Sequence, residues 1–245
     1  MKAALCLYGY FDCLTDNSSK GMDGYDHIKK NILDKVDTDV FIHSWQPELK
    51  NFLENLYKPK LIKSEPQIDF LHYVNDRNLD PTNYWNSIQR PPQVRFSYFY
   101  SLSQSFGLMR QHEIESGNEY DVVIKGRFDL GRTNRNTSGP GKACEHAVQC
   151  INFDPSLDMK KLYVADWDSW DHGICDMWWY SNSQNMRKFI NLYEKCSNDY
   201  WNIGSDFYNG LEHKYDLLNA IRTLKQFLID NDLWDKVHAL PTTWE

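Results

Sequence analysis

The chain has 245 residues, 41% of them hydrophobic and 25% charged, which is typical of a globular domain and excludes a disordered or fibrous protein. A formal charge of −7 argues against the clustered basic surface that neutralises a nucleic-acid backbone, so we expect no nucleic-acid partner. No apolar run approaches the roughly 18 residues of a membrane span, so we expect at most peripheral membrane contact.

The cysteine pattern indicates the cellular compartment. None of the cysteines forms a Cys-x-x-Cys pair, and the first residues do not have the pattern of a signal peptide. We therefore expect a cytoplasmic protein with mostly reduced thiols. Cys144 and Cys150 are close enough in sequence to pair across a loop. No linker divides the chain, so a single domain over 1–245 is predicted.

The first 45 residues predict a strand, a helix and a second strand. An apolar run over 3–8 ends at Gly9, which favours a turn. Hydrophobic residues recur at helical spacing over 25–33, and the run 40–45 has the composition of a short buried strand. This order is typical of a parallel sheet covered by helices.

The remaining elements extend the same pattern. We predict helices over 49–56, 96–117, 183–196 and 215–231, and strands over 60–62, 120–125 and 161–165. Residues 131–147 lack periodicity and predict a long loop, and the chain ends in a short tail. The whole predicts an α/β fold with a central mixed, mainly parallel sheet.

The run Arg127-Phe128-Asp129 follows the strongest predicted strand directly. Ligands of open α/β sheets bind at the carboxyl ends of strands, so Asp129 is predicted to lie where a substrate can reach it. A carboxylate there can hold Mg²⁺ or Mn²⁺, and Arg127, on the same side of an extended chain, can contact phosphate. The alternative is an Arg–Asp ion pair that only closes the strand.

A second candidate metal site is Asp166-Trp167-Asp168, a literal Asp-x-Asp that also follows a short predicted strand. A carboxylate pair of this kind suits a divalent cation that neutralises a diphosphate. We rank it second, because the strand before it is shorter and its surroundings are unusually rich in tryptophan.

The tryptophan-rich segment around this motif is typical of a surface that contacts sugars, since flat aromatic rings match sugar rings. Trp170 and Trp178 are its candidate acceptor-binding residues. Asp176 is the candidate for acceptor binding or for the general base that deprotonates an acceptor hydroxyl. A capping role for Asp176 is the alternative.

His43 and Trp45 end a predicted strand at the same edge as Tyr8. They are therefore candidates for lining a nucleotide pocket. A buried, hydrogen-bonded histidine is the alternative for His43.

Four segments together resemble, in order and spacing, a family of GT-A-type glycosyltransferases of bacterial polysaccharide gene clusters and large viruses. They are ALCLYGYFD at 4–12, VDTDVFIHSW at 36–45, YDVVIKGRFDL at 120–130 and, more weakly, GICDMWWYSNSQNMRKFINLY at 173–193. The resemblance implies a GT-A-like, Rossmann-like three-layer sandwich. It also implies transfer of a sugar from a nucleoside-diphosphate donor to a hydroxyl of a glycan or glycoconjugate acceptor.

The same resemblance implies roles for individual residues. The segment implied to hold the nucleotide is Tyr8, Gly9, Tyr10 and Phe11. Arg127 and Asp129 stand where better-known relatives have an Asp-x-Asp metal site, which implies a Mn²⁺ or Mg²⁺ cofactor with Asp129 as its ligand. Because one carboxylate replaces two, Arg127 or Lys125 can supply the positive charge that a leaving diphosphate needs. His213 or His238 is implied as a possible third metal ligand.

Two other functions remain open at this stage. A metal-dependent nucleotidyltransferase or phosphotransferase uses the same carboxylate–metal chemistry. A non-enzymatic carbohydrate-binding protein can be built on the tryptophan-rich segment alone. The sequence contains no Walker A, HExxH or GxSxG motif, which removes support for P-loop, zincin and α/β-hydrolase chemistry.

Overall fold

The computed structural model describes residues 1–11, 20–70, 92–131, 149–166, 173–200 and 220–241. In these residues seven strands form one sheet. They are β1 (Lys2–Gly9), β2 (Asp37–Ser44), β3 (Leu61–Ser64), β4 (Val122–Arg127), β5 (Leu162–Ala165), β6 (Trp179–Ser181) and β7 (Val237–Leu240). The strand order across the sheet is β3-β2-β1-β4-β6-β5-β7.

Parallel pairing dominates this sheet. β1 is parallel to both β2 and β4, and β2 is parallel to β3. β6 is antiparallel to β4 and β5, whereas β5 and β7 are parallel. All strands except β6 therefore end at one edge of the sheet, which we call the carboxyl edge, and β6 begins there. The prediction of a mixed, mainly parallel sheet is confirmed.

Helices cover both faces of the sheet. They are α1 (Lys20–Ile28), α2 (Lys50–Tyr57), α3 (Pro92–Ser116), α4 (Ser183–Met186), α5 (Leu192–Lys195) and α6 (Ala220–Asp230). A π-helical turn at Lys29–Leu33 extends α1, a 3₁₀ turn at Arg187–Asn191 joins α4 to α5, and a π-helical turn at Cys196–Tyr200 follows α5. Further 3₁₀ turns lie at Pro47–Leu49 and Trp234–Lys236. Among the described helices, none combines the length and the apolar character that crossing a membrane requires.

The core divides into two clusters because successive strand residues point to opposite faces. Ala4, Cys6 and Tyr8 lie on one face of β1, in a core cluster with residues of α3 and α6. The other packs against α1 and α2 and consists of Ala3, Leu5 and Leu7. Each fully buried leucine stabilises the fold by roughly 1.5–3 kcal/mol. The result is a three-layer α/β/α arrangement.

Two strands were not predicted. β6 has only three residues and lies at the end of the tryptophan-rich segment, for which no strand was predicted. β7 lies where a tail was predicted. The helix predicted over 183–196 is broken into the short helices and turns that begin at α4. Of the loop predicted over 131–147, only Gly131 is among the described residues. Of the helix predicted over 215–231, the described part starts at Ala220.

The described cysteines are of two kinds. Cys6, Cys175 and Cys196 are free and buried, as expected of reduced thiols. Cys150 is disulfide-bonded. Cys144, the partner considered for it from the sequence, lies outside the described residues.

Candidate functional site

The chain changes direction across the sheet between β1 and β4. From β1 it continues to β2 and β3 on one side and then returns to β4 on the other. Segments that leave neighbouring strands in opposite directions open a crevice outside the carboxyl ends, and open α/β sheets bind ligands there. Tyr8 and Arg127 are register partners at this point. The fold therefore favours a ligand site beside these two residues.

Arg127 and Asp129 form a two-pronged ion pair at this crevice. Arg127 Nε donates to Asp129 Oδ1 at 2.9 Å, and Nη2 donates to Oδ2 at 2.7 Å. The side chains are 33% and 20% exposed, so solvent reaches both. Burial alone would lower the pKa of Arg127, but the carboxylates of Asp129 and Asp176 outweigh burial and raise it. Arg127 is therefore a permanent cation at the mouth of the crevice.

Helix α1 braces the turn that carries Asp129. A Cβ placed on Gly24 would lie 1.7 Å from the carbonyl oxygen of Phe128 and 3.3 Å from Cα of Asp129. Only glycine permits this approach. Phe128 itself is buried and meets Phe11 edge to face, with ring centroids 5.6 Å apart. The turn after β4 is thus fixed against both the end of β1 and α1.

The four residues implied to hold a nucleotide differ in their exposure. Tyr8 and Phe11 are buried in the two core clusters, whereas Gly9 is partly exposed and Tyr10 is 44% exposed. Gly9 has a φ of 99°, which favours glycine and turns the chain out of β1. The Tyr10 hydroxyl donates to Oε1 of Gln67 at 3.1 Å. Gly9 and Tyr10 therefore offer the accessible surface at this end of β1.

Lys125 lies inside the protein, and this corrects the expectation that it meets a diphosphate. The side chain has no exposed surface. Its ammonium donates to the backbone carbonyls of Asp176 and Met177, the latter at 3.2 Å. Burial lowers the pKa of Lys125 to about 7, although the nearby carboxylate of Asp176 acts to raise it. Lys125 shares a face of β4 with Arg127 but lies two residues further from the carboxyl edge, where α3 covers it.

Asp176 and Trp178 precede β6, and the structure separates them. Asp176 is partly exposed, and its carboxylate acts on the pKa of Arg127, so the two side chains share one region. Trp178 is buried and stacks on Tyr180, with centroids 6.0 Å apart. The expectation that Trp178 contacts an acceptor is therefore corrected, since it is a core residue. Trp170 lies outside the described residues.

His43 is the buried, hydrogen-bonded histidine that the sequence left as the alternative. Its Nδ1 lies 2.6 Å from Oγ of Ser101, and its Nε2 lies 2.9 Å from Oε1 of Glu65. Burial lowers the pKa of His43 to about 4, against the raising effect of Glu65. Trp45 is also buried and stacks on Tyr100 at 5.4 Å. His43 and Trp45 therefore pack inside the protein at the end of β2, next to the carboxyl edge.

The candidate metal ligands that the structure describes do not converge. Asp166 directly follows β5, two strands from β4, and His238 lies on β7, three strands from β4. At a strand spacing of about 4.8 Å, roughly 14 Å separates β7 from β4, so His238 and Asp129 cannot share an ion here. Among the described residues no group of three or more His, Cys, Asp or Glu side chains could hold a metal. Asp168 and His213 lie outside that part of the chain.

No family model and no curated protein matches the chain. One similar solved structure is that of a protein from Desulfovibrio desulfuricans G20 that is provisionally named a nucleotide-diphospho-sugar transferase. The likeness covers 98% of this chain and 79% of that chain, at 12% sequence identity and a TM-score of 0.40. Similarity of this degree carries no inference about function.

Three further residues lie near the candidate site and carry no motif in the sequence. Lys63 and Glu65 lie at the end of β3, also at the carboxyl edge, and their charged groups are 2.9 Å apart. They could have been found, since carboxyl ends of neighbouring parallel strands meet at one edge. Tyr98 on α3 faces Lys125, with the ammonium 5.6 Å from its ring centroid. No sequence signal pointed to Tyr98, because only packing of α3 on the sheet brings it there.

Proposed function

We propose that the protein transfers a sugar from a nucleoside-diphosphate donor to a hydroxyl of a glycan acceptor at the carboxyl edge between β1 and β4. The observation that carries this proposal is the partly exposed Arg127 guanidinium, held by Asp129 at the point where the strand order reverses. A leaving diphosphate gains negative charge as the sugar departs, so a fixed cation stabilises the transition state more than it stabilises the bound donor.

The geometry of Arg127 suits this role. Asp129 occupies Nε and Nη2, while Nη1 lies 3.5 Å from the sulfur of Met177. A thioether is a weak acceptor, so a phosphate oxygen that replaces it gives Nη1 a much stronger partner. Asp129 thus acts by orienting the guanidinium, which loses little freedom when the donor binds.

The nucleoside end of the donor is assigned to Gly9 and Tyr10. Gly9 has no side chain. Among the described residues, apart from its two neighbours in sequence, no atom lies within 4 Å of the position that a Cβ would take, so these residues leave the backbone open to a ligand. The exposed ring of Tyr10 offers a flat face for a base. Since Tyr8 is paired with Arg127 in register, the two ends of a nucleoside diphosphate can reach these groups together.

Asp176 is assigned as the group that receives the acceptor proton. In an inverting displacement, a carboxylate accepts the hydroxyl proton as the new C–O bond forms and the bond to the diphosphate breaks. Asp176 is partly exposed and arrives at the carboxyl edge from the β6 side, whereas the nucleoside is assigned to the β1 side. The acceptor is therefore expected to approach over the entry to β6.

Mn²⁺ or Mg²⁺ is not used in this proposal, because the described donor groups do not fit such an ion. Asp129 is a single carboxylate, and both of its oxygens already accept from Arg127. A hard divalent cation takes six or more oxygen ligands and would compete with the guanidinium for this carboxylate. Charge stabilisation is assigned to Arg127, and divalent cations enter as an arm of the binding experiment.

Product analysis tests this function. The protein is incubated with UDP-, GDP-, dTDP- and CMP-sugars and a panel of glycans, with and without Mn²⁺, and the released nucleotide is identified. The proposal expects a nucleoside diphosphate from one of the UDP-, GDP- and dTDP-sugar classes, and loss of its release in Arg127→Gln. Release of CMP alone would contradict a diphosphate leaving group. Arg187→Gln is the matched control, since Arg187 is 31% exposed and paired with Glu119 elsewhere. Sugar 1-phosphate as the product, left behind when the nucleoside monophosphate is transferred, would favour a nucleotidyltransferase. Glycan binding with no nucleotide effect would favour a carbohydrate-binding protein.

A further inference from the structure

The buried Lys125 ammonium is costly to the fold. Moving a charge from water to the interior costs several kcal/mol after relaxation, so a hydrophobic residue of similar size would be favoured on stability alone. Lys125 has no exposed surface and no carboxylate within an ion-pair distance among the described residues. Its partners are two backbone carbonyls and three aromatic rings. This set of partners indicates what the cation does.

The two carbonyls belong to the segment that enters β6. The ladder between β4 and β6 pairs Lys125 with Trp179 and extends no further in that direction. Asp176 and Met177 therefore lie beyond the last strand pair. The Lys125 side chain holds this segment to β4 beyond the backbone ladder, because its ammonium donates to both carbonyls.

The rings form a cage around the rest of the ammonium. Its nitrogen lies 4.1 Å from the ring centroid of Trp179, 5.1 Å from that of Tyr8 and 5.6 Å from that of Tyr98. Each face attracts the cation through its quadrupole. Neither tyrosine hydroxyl makes a hydrogen bond of ordinary geometry within the described part of the chain. The cage thus recognises an alkylammonium through ring faces and carbonyl oxygens.

The same segment carries groups of the proposed site. The sulfur of Met177 contacts Nη1 of Arg127, and the carboxylate of Asp176 acts electrostatically on Arg127. A shift of this segment by about 1 Å would misplace a proton acceptor enough to cost on the order of a hundredfold in rate.

We propose that Lys125 is a positioning residue whose buried ammonium fixes the backbone of Asp176 and Met177, and so the place of the Asp176 carboxylate relative to Arg127. This inference rests on the proposed function for its catalytic consequence. Its structural part, attachment of the segment, stands independently and is tested independently.

Chemical rescue tests this inference. Lys125→Ala removes the side chain beyond Cβ and leaves a cavity into which n-propylammonium fits, with ring faces and carbonyls as its partners. The first measurement is amide hydrogen exchange of the peptide 173–181 in the full chain. We expect exchange about ten- to a hundredfold faster in Lys125→Ala, partial return with n-propylammonium and no return with 1-propanol. Lys125→Met, which keeps the volume without the charge, serves if the alanine variant fails to fold, and the same acceleration is expected of it.

Lys188→Met is the matched control. The Lys188 ammonium also donates to a backbone carbonyl, that of Asn231, but away from this segment. Amide hydrogen exchange over 173–181 in Lys188→Met should equal that of the unaltered protein. Unchanged exchange in both Lys125 variants, or rescue by 1-propanol as strong as by n-propylammonium, overturns the inference.

The second measurement separates this inference from the proposed function. Where transfer activity is found, the Lys125 variants should lose about a hundredfold in kcat while the Kd for the donor changes by less than about threefold. Accelerated exchange in a protein with no transfer activity contradicts the proposed function and leaves the attachment in place. A raised donor Kd with unchanged kcat contradicts the positioning role.

Discussion

Arg127 and Asp129 hold each other by two parallel hydrogen bonds of 2.9 and 2.7 Å at the carboxyl edge of the sheet. The sequence offered two interpretations of these residues, a functional site or an ion pair that closes a strand. The geometry shows the ion pair, and because the pair stays partly exposed it also fixes the orientation of a cation that solvent reaches. Orientation is what a preorganised site requires.

Replacement of Arg127 should separate charge from orientation. Arg127→Lys keeps the charge but cannot make both hydrogen bonds to Asp129, since an ammonium lacks the planar fork. We expect transfer to fall by about 10²–10³-fold, or roughly 2.7–4 kcal/mol, as for loss of one preorganised donor. Steady-state kinetics measure this, and Arg187→Lys should change the rate by less than about twofold. Equal rates for Arg127→Lys and the unaltered protein would contradict the assignment.

Gly24→Ala should both destabilise the protein and weaken the site. The added methyl would lie 1.7 Å from the Phe128 carbonyl oxygen, so α1 or the turn before Asp129 must move. We expect a loss of about 1–3 kcal/mol in the free energy of unfolding, measured by urea titration.

A second glycine provides the control for this substitution. A Cβ on Gly107, inside α3, would meet no atom within 4 Å in the described part of the chain, apart from the backbone of its own helix. Gly107→Ala should therefore stabilise the protein by roughly 0.5–1 kcal/mol through helix propensity. Equal effects of the two substitutions would show that α1 does not brace the turn.

His43 should make the protein sensitive to acid. The histidine takes up a proton near pH 6.5 when unfolded, whereas burial holds the folded pKa at about 4. Between these values the unfolded state binds more protons, so stability falls as pH drops from 6.5 to 4. The loss should approach about 3 kcal/mol at 1.36 kcal/mol per pKa unit.

Urea titration across pH 4–7 measures this effect, with His43→Gln as the variant that cannot titrate. The stability difference between the two proteins should shift in favour of the variant as pH falls through this window. Glu65 does not mimic the effect in the upper part of the window. Burial acts to raise its pKa, but hydrogen bonds from His43 and Lys63 lower it below 4.5. A pH-independent difference would contradict the burial of neutral His43.

Lys125 should give a dependence at higher pH. An unfolded lysine stays protonated up to about 10.5, whereas burial lowers the folded pKa of Lys125 to about 7. The unfolded state binds more protons between these values, so stability rises with pH across them. Lys125→Met removes this titration, so its stability relative to the unaltered protein should be highest below pH 7 and decline towards pH 10.5. A constant difference over that range would place the ammonium in solvent.

The sequence was sufficient for the centre of the sheet and for placing Arg127 and Asp129 at its carboxyl edge. The apolar runs that became β1, β2 and β4 each end in polar residues, and parallel pairing brings those ends to one edge. The strand-end rule therefore found Arg127 and Asp129 without coordinates.

Side-chain direction and short strands were beyond the sequence. The strand-end position of Lys125 predicts an accessible charge. The rings that enclose its ammonium belong to Tyr8, Tyr98 and Trp179, which are distant in the chain, so only the folded structure brings them together. The tryptophan-rich sequence predicts a sugar contact for Trp178. In the structure, pairing of Trp179 with β4 buries Trp179 on one face of the sheet and Trp178 on the other. Three-residue β6 has too few positions to show alternation, so tertiary pairing alone defines it.

Donor binding with the Arg127–Asp129 pair intact and disrupted tests the central claim most directly. Thermal shift is measured with UDP-, GDP-, dTDP- and CMP-sugars, with and without Mn²⁺, on the unaltered protein, Asp129→Ala and the control Arg187→Gln. We predict that one donor class stabilises the unaltered protein and Arg187→Gln, and that Asp129→Ala loses this stabilisation because Arg127 is no longer oriented. An equal shift in Asp129→Ala, or no shift in the unaltered protein with any of the four classes, would contradict the account.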